Sequence, residues 1–210
     1  YKHGHRIGIA GKNTVHTYIY FLASQMLSSA IGLRSDFKGN DWNYKIPAAN
    51  INVVIELGNN DDEVRVHHQH FERSIECAKE YAVYFSSGTT SNTWGTPQAT
   101  PMVWDVDDHN WGMGIDIVNY NRAVINPWYK HADDNIQIQF MAPWMGFGQE
   151  STTLNLIKQG HTVLVDDPND WDELVDRYKP TWTVMFPMKA LNLMEHNRGG
   201  GHPLKCVEMS

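Results

Sequence analysis

Apolar residues in this chain cluster in short segments whose spacing alternates between a strand period and a helix period. Residues 6–10 (RIGIA) read as a buried strand that turns at Gly11 and Lys12. Asn13 is then expected to cap a helix reaching about Ile31, with Tyr18, Phe21, Leu22, Met26 and Leu27 on its inner face. Residues 51–57 (INVVIEL) are nearly continuous in β-branched side chains, the pattern of a parallel strand covered on both faces. Further strands are expected at 80–85, 136–140, 162–165, 182–186 and 204–208, and further helices at 112–124, 149–159, 170–178 and 188–196. Alternation of this kind predicts an α/β fold with three layers, in which largely parallel sheets are flanked by helices.

Charge narrows the class of partner. Asp and Glu number 24 against 17 Lys and Arg, a formal net charge of -7, which disfavours duplex nucleic acid and anionic membrane as ligands. A nucleotide is not excluded, because converging backbone N–H groups cradle phosphate without net positive charge. The two cysteines, Cys77 and Cys206, stand too far apart in sequence for a disulfide framework or a Cys-rich zinc site, so a reduced, cytoplasmic setting is expected. No apolar run reaches the roughly 18 residues of a membrane span. The longest candidate, 18–33, is broken by Ser24, Gln25, Ser28 and Ser29. The chain begins at Tyr1 and stops at Ser210 directly after a strand-like run, so both ends are expected to be truncated.

Residues 85–95 (FSSGTTSNTWG) concentrate hydroxyls and glycines directly after a predicted strand. Glycine lets a backbone turn with its N–H groups converging, and Ser and Thr add neutral donors that also reach a metal-bound phosphate. The spacing and lysine of a Walker A loop are absent. Taken alone, the segment reads either as a polar surface loop or as a phosphate cradle.

The same segment resembles the phosphate-binding signature of AMP-forming adenylating enzymes, the superfamily of acyl-CoA synthetases and luciferases, which runs Tyr-Thr-Ser-Gly-Thr-Thr-Gly-x-Pro-Lys-Gly. Ser87, Gly88, Thr89, Thr90 and Gly95 match in identity, and Phe85 and Ser86 in kind. Ser91, Thr93 and Trp94 stand where the signature has Gly, Pro and Lys. The resemblance continues along the chain. Residues 4–9 with Lys12 and Asn13 are similar to the family's early Gly-Asp-Arg-Val strand and following helix. Residues 108–111 resemble its Thr-His-x-Asn-Leu segment, and 142–148 (APWMGFG) its Pro-Leu-Phe-His-x-x-Gly segment beside the acyl pocket. Residues 159–165, 171–186 and 204–210 resemble its later strand and helix–strand units in the same order. Met145 falls where many relatives carry His, and Met offers no hydrogen-bond donor.

Other clusters carry less chemistry. His67, His68 and His70 lack a neighbouring Cys or carboxylate spacing for a metal and read as a solvated face. Asp105, Asp107 and Asp108 lack the Gly and closing Glu of an EF-hand. Gly146-x-Gly148 lacks the third glycine of a dinucleotide fingerprint, and no Gly-x-Ser-x-Gly elbow exists.

The resemblance implies that residues 1–210 are part of a large N-terminal adenylation domain, without the small C-terminal domain that carries the family's catalytic lysine. It implies a ligase that activates a small-molecule carboxylic acid, fatty or aryl, with ATP and Mg2+, the acyl-adenylate passing to coenzyme A. Ser86, Ser87, Gly88, Thr89, Thr90, Ser91 and Gly95 are the implied phosphate-binding residues, with Ser86 or Thr89 beside Mg2+. Trp144, Met145, Gly146 and Phe147 are the implied acyl-pocket residues. Because of Trp94 and Met145, the alternative is a degenerate nucleotide-binding or interaction module of the same fold.

Overall fold

A computed structural model describes residues 5–34, 40–58, 63–68, 80–85, 99–103, 136–139, 160–165, 171–185, 191 and 206–209. The chain divides into two compact units, Tyr1–Asp108 and His109–Ser210.

The first unit is built on a six-stranded sheet in the order β4-β3-β1-β2-β5-β6. Its strands are β1 (Arg6–Gly11), β2 (Ser29–Arg34), β3 (Val53–Leu57), β4 (Val64–His68), β5 (Glu80–Phe85) and β6 (Ala99–Val103). β3, β1, β2 and β5 run parallel, and antiparallel strands β4 and β6 close the two edges. Pro101 sits on edge strand β6, where its missing N–H costs the sheet no interior bond.

Helix α1 (Val15–Leu27) joins β1 to β2 and helix α2 (Asn40–Ala48) joins β2 to β3. Successive side chains of a strand point to opposite faces, and the helices divide accordingly. Ala10, Leu33 and Val83 share a buried cluster with Trp42 of α2, whereas Gly11, one residue on from Ala10, faces Thr17 of α1. Helix, sheet and helix thus form the three expected layers.

The start and end of α1 differ from expectation. Thr14 is the N-cap, its hydroxyl accepting from the Thr17 N–H at 3.3 Å, and not Asn13. The helix stops at Leu27 and β2 begins at Ser29, because Ala30, Ile31 and Leu33 are fully buried as sheet residues between β1 and β5. The inner face is therefore Thr17, Tyr18, Phe21, Ser24 and Gln25, while Met26 and Leu27 are 85% and 65% exposed. α2 ends on Asn50 at φ 47, and Ile51 N–H bonds back to the Ile46 carbonyl at 3.0 Å, an arrangement in which Asn takes the left-handed place usually held by Gly.

The second unit holds a four-stranded parallel sheet in the order β10-β9-β7-β8. Its strands are β7 (Ile136–Gln139), β8 (His161–Leu164), β9 (Trp182–Met185) and β10 (Cys206–Met209). Helix α3 (Trp171–Tyr178) packs Trp171 and Val175 against Ile138 and Val165. The helices expected at 112–124 and 149–159, and 188–196 apart from Leu191, lie outside the described residues.

Candidate functional site

β5 is where sequence and structure meet most closely. Expected at 80–85, it occupies Glu80–Phe85, with Ala82 and Val83 almost wholly buried in the sheet. The sequence reading missed its partner β6. The two strands pair antiparallel, with Val83 opposite Pro101, Tyr84 opposite Thr100 and Phe85 opposite Ala99. In sequence, segment 86–98 links the two strands of this hairpin, whose last described pair is Phe85 and Ala99.

The mouth of this hairpin lies at the carboxyl end of the parallel strands. Ala82 is level with Ala30, and Ala30 with Ile7, so Phe85 leaves the sheet near the ends of β1 and β2. Open α/β sheets bind ligands outside the carboxyl ends of their strands. Phe85 and Ala99 pack, together with Ile46 of α2, on the cluster containing Leu33, Trp42 and Val83. Lys45, beside Ile46, holds its Nζ 5.3 Å from the centroid of the Phe85 ring. Tyr81, on the same strand, has its hydroxyl pushed above the usual tyrosine range by burial.

Ser86, Ser87, Gly88, Thr89, Thr90, Ser91 and Gly95 lie outside the described residues, as does Trp94. The same holds for Trp144, Met145, Gly146 and Phe147, which follow the end of β7 at Gln139. β7 itself carries a polar ladder. Gln137 and Gln139 are fully buried, the Gln137 amide donates to Gln139 Oε1 at 3.0 Å, and Thr162 donates to Gln137 Oε1 at 3.1 Å.

The histidine run falls on edge strand β4. His68 is exposed, whereas the His67 ring lies with Nε2 at 2.8 Å from Glu56 Oε2 and edge-on to Trp42 at 5.7 Å. His70 lies outside the described residues. Among the described residues no three His, Cys, Asp or Glu side chains gather as a metal site, and no helix is long and apolar enough to cross a membrane.

By sequence, the chain matches no family profile and no curated protein. By fold it is similar to solved structures. O-succinylbenzoate coenzyme A synthetase (MenE) from Bacillus subtilis, in complex with AMP, is 12% identical, with 100% of this chain and 56% of that one covered at a TM-score of 0.66. ATP-bound MatB from Rhodopseudomonas palustris is 16% identical over 94% of this chain and 42% of that one, at a TM-score of 0.65. VinN is 15% identical over 98% of this chain and 55% of that one, at 0.66. The chain thus spans about half the length of the structures it resembles.

Proposed function

Proceeding from a mixed α/β fold that matches the N-terminal domain of adenylating enzymes, we propose that this chain is part of that domain in an AMP-forming acid–thiol ligase. The reaction is the activation of a small carboxylic acid, fatty or aryl, by ATP to an acyl-adenylate, with coenzyme A as the thiol that accepts the acyl group. MatB with ATP bound, and MenE with AMP and with ATP and magnesium, support the choice of nucleotide. The two distant cysteines go with a reduced, cytoplasmic setting.

The observation that carries this reading is the pairing of Phe85 with Ala99. It brackets a segment rich in Ser, Thr and Gly between two strands, at the end of a parallel sheet where ligands bind. In the reaction, a carboxylate oxygen forms a bond to the α-phosphorus of ATP while the bond to the pyrophosphate oxygen breaks. Pyrophosphate leaves with the electron pair. The task of the protein is to hold the phosphates in line and to meet the charge that develops on them. Ser86, Ser87, Gly88, Thr89, Thr90 and Ser91 supply hydroxyl and backbone donors for the β- and γ-phosphates, and Gly95 gives the backbone its freedom to close around them.

The donor set fits Mg2+ only as a partner of the nucleotide. Segment 86–98 contains no carboxylate, and Ser86 or Thr89 would offer the metal a single hard hydroxyl oxygen beside the nucleotide. Bound there, the metal neutralises charge on the phosphates. Trp144, Met145, Gly146 and Phe147 form one wall of the acyl pocket, apolar where Met145 replaces a donor. Trp94 and Met145 also motivate a second reading, a nucleotide-binding module of this fold without turnover.

Exchange of labelled pyrophosphate into ATP, dependent on added carboxylic acid and measured on the complete protein, tests the assignment. Acid-dependent exchange is expected. Binding of ATP without exchange selects the module without turnover, and a folded protein that binds no ATP at all overturns both readings.

A further inference from the structure

The two edges of the first sheet are finished differently. Edge strand β6 carries Pro101, which has no N–H to offer a neighbour, and its pairing with β5 shifts register between Glu80 and Ala82. β4 has neither device. Its pairing with β3 runs unbroken from Leu57 with Val64 to Val53 with His68, and among the described residues no strand lies beyond it. An open strand edge of this kind is a template for a further strand. We propose that β4 is the contact surface of a two-fold dimer. It pairs antiparallel with β4 of a second copy, Val66 opposite the partner's Val66, and so joins the two six-stranded sheets. This assembly is independent of the nucleotide reading.

The ladder decides which residues face the open edge. The Gly58 N–H donates to the Glu63 carbonyl at 2.7 Å, in register with the pairing of Leu57 and Val64. Bonded and non-bonded pairs alternate along an antiparallel ladder. Arg65 and His67 therefore turn their backbone groups toward β3, while Val64, Val66 and His68 turn theirs away. The side chains of Val64 and Val66 share one face, and both are exposed. A strand that meets its own copy about Val66 exchanges two backbone bonds at the centre. Val64 then lies opposite the partner's His68, whose carbonyl oxygen has two lone pairs and accepts the Val64 N–H in addition to that residue's other contacts.

Side-chain chemistry selects this register and this occupant. On one face half-buried Ile55, across from Val66 on β3, continues the row, so the joint sets Ile55 and Val66 of both copies side by side. On the other face Arg65 comes opposite the partner's His67. Within each chain the His67 ring holds its Nε2 2.8 Å from Glu56 Oε2, so the guanidinium meets an imidazole–carboxylate pair. Sliding the strands by two residues in one direction sets Arg65 against the partner's Arg65, and like charges directly opposite destabilise a strand pair. Sliding them in the other direction carries Val64 past the end of the partner's β4. A strand of another protein satisfies the backbone alone, whereas a second copy matches both rows.

Sedimentation velocity of the complete protein over a dilution series tests the dimer. A concentration-dependent dimer is expected for wild type. Val66→Lys sets two ammonium groups face to face at the centre and should weaken the dimer about tenfold or more, while the unfolding midpoint stays near that of wild type. Val64→Lys is the second variant should the first fail to fold. The register is read by cross-linking under an added oxidant, with Cys77 and Cys206 replaced by Ser. Val66→Cys should form a covalent dimer, because opposed residues of a bonded pair have Cα atoms about 5.5 Å apart, within the span of a disulfide. Val64→Cys should not, because its two copies stand roughly 13 Å apart along the strands. A protein that is monomeric throughout the series, a dimer as tight in Val66→Lys as in wild type, or cross-linking no greater at residue 66 than at residue 64 overturns the proposal.

Discussion

Arg6 on β1 and Glu80 on β5 meet in a two-point ion pair across the intervening strand β2, with Nε to Oε1 and Nη2 to Oε2 both at 2.8 Å. Ser29, the first residue of β2, donates its hydroxyl to the same carboxylate at 3.2 Å, and Arg6 Nη1 donates to the Ala49 carbonyl at 2.6 Å. Three strands and the end of α2 are thereby tied at the amino end of the sheet, opposite the hairpin mouth. The two side chains are only 10% and 4% exposed, so neither charge has water to fall back on. Glu80→Ala, which strands the guanidinium, is expected to cost about 3–5 kcal/mol. Denaturant unfolding with amide exchange at β1 measures it. Replacing Arg6 and Glu80 together by Met and Leu should recover most of the loss, and a single variant as stable as wild type would show that the pair contributes little.

At Gly11, β1 lies hard against Thr17 of α1. A Cβ there would stand 2.5 Å from Thr17 Oγ1 and 2.9 Å from Thr17 Cγ2. Thr17 is not free to yield, since it is buried and its hydroxyl lies 3.1 Å from that of the helix cap Thr14. Gly11→Ala is expected to destabilise the first unit by about 1–3 kcal/mol through overpacking. The companion change Thr17→Ser, which removes the methyl, should relieve part of it in a double variant followed by thermal unfolding.

Burial raises the pKa of Tyr81, so the folded state favours the neutral phenol. The stability this contributes is complete below the ordinary tyrosine pKa of about 10 and is lost as pH rises through the higher folded value. Tyr81→Phe keeps the ring and removes the titrating proton. Unfolding midpoints measured from neutral to alkaline pH should fall less steeply for the variant, and parallel curves would contradict the assignment.

Thr89→Val with Thr90→Val removes two hydroxyls from the proposed cradle while roughly preserving shape. Each lost hydrogen bond to a charged group costs about 1.5–3 kcal/mol, so acid-dependent pyrophosphate exchange should drop at least tenfold. Exchange at the wild-type rate in a folded variant would take these hydroxyls out of the mechanism.

Strand positions were legible at β1, β3, β5 and β7, because burial in a parallel sheet imposes an apolar pattern on the chain, whereas the equally buried β2 was read as the end of the preceding helix. The antiparallel edges β4 and β6 were not legible. Val64 and Val66 remain 39% and 49% exposed, and β6 contains Pro101, so neither strand carries the composition of a buried one. α2 was missed for a related reason: Pro47 lies inside it and its remaining residues are largely polar. Of the candidate site, the sequence alone offered the hydroxyl and glycine segment with its preceding strand. What it did not reveal was β6, the strand that pairs with β5 from the other end of that segment.

The α/β class, strands β1, β3, β5 and β7 and the hydroxyl-rich segment after β5 are properties of local pattern, and the sequence by itself determined them. Pairing is not local. That Phe85 faces Ala99, that Arg6 reaches Glu80 past β2, and that Lys45 comes to rest over Phe85 each join residues remote in sequence. β7 shows the limit most plainly. Its Ile-Gln-Ile-Gln alternation marks a strand from sequence alone, yet Gln137 and Gln139 are fully buried and paired with each other. Period 2 assigns side chains to faces, but whether a face meets water or protein is decided only when other segments pack against it, and only the tertiary structure decided that here.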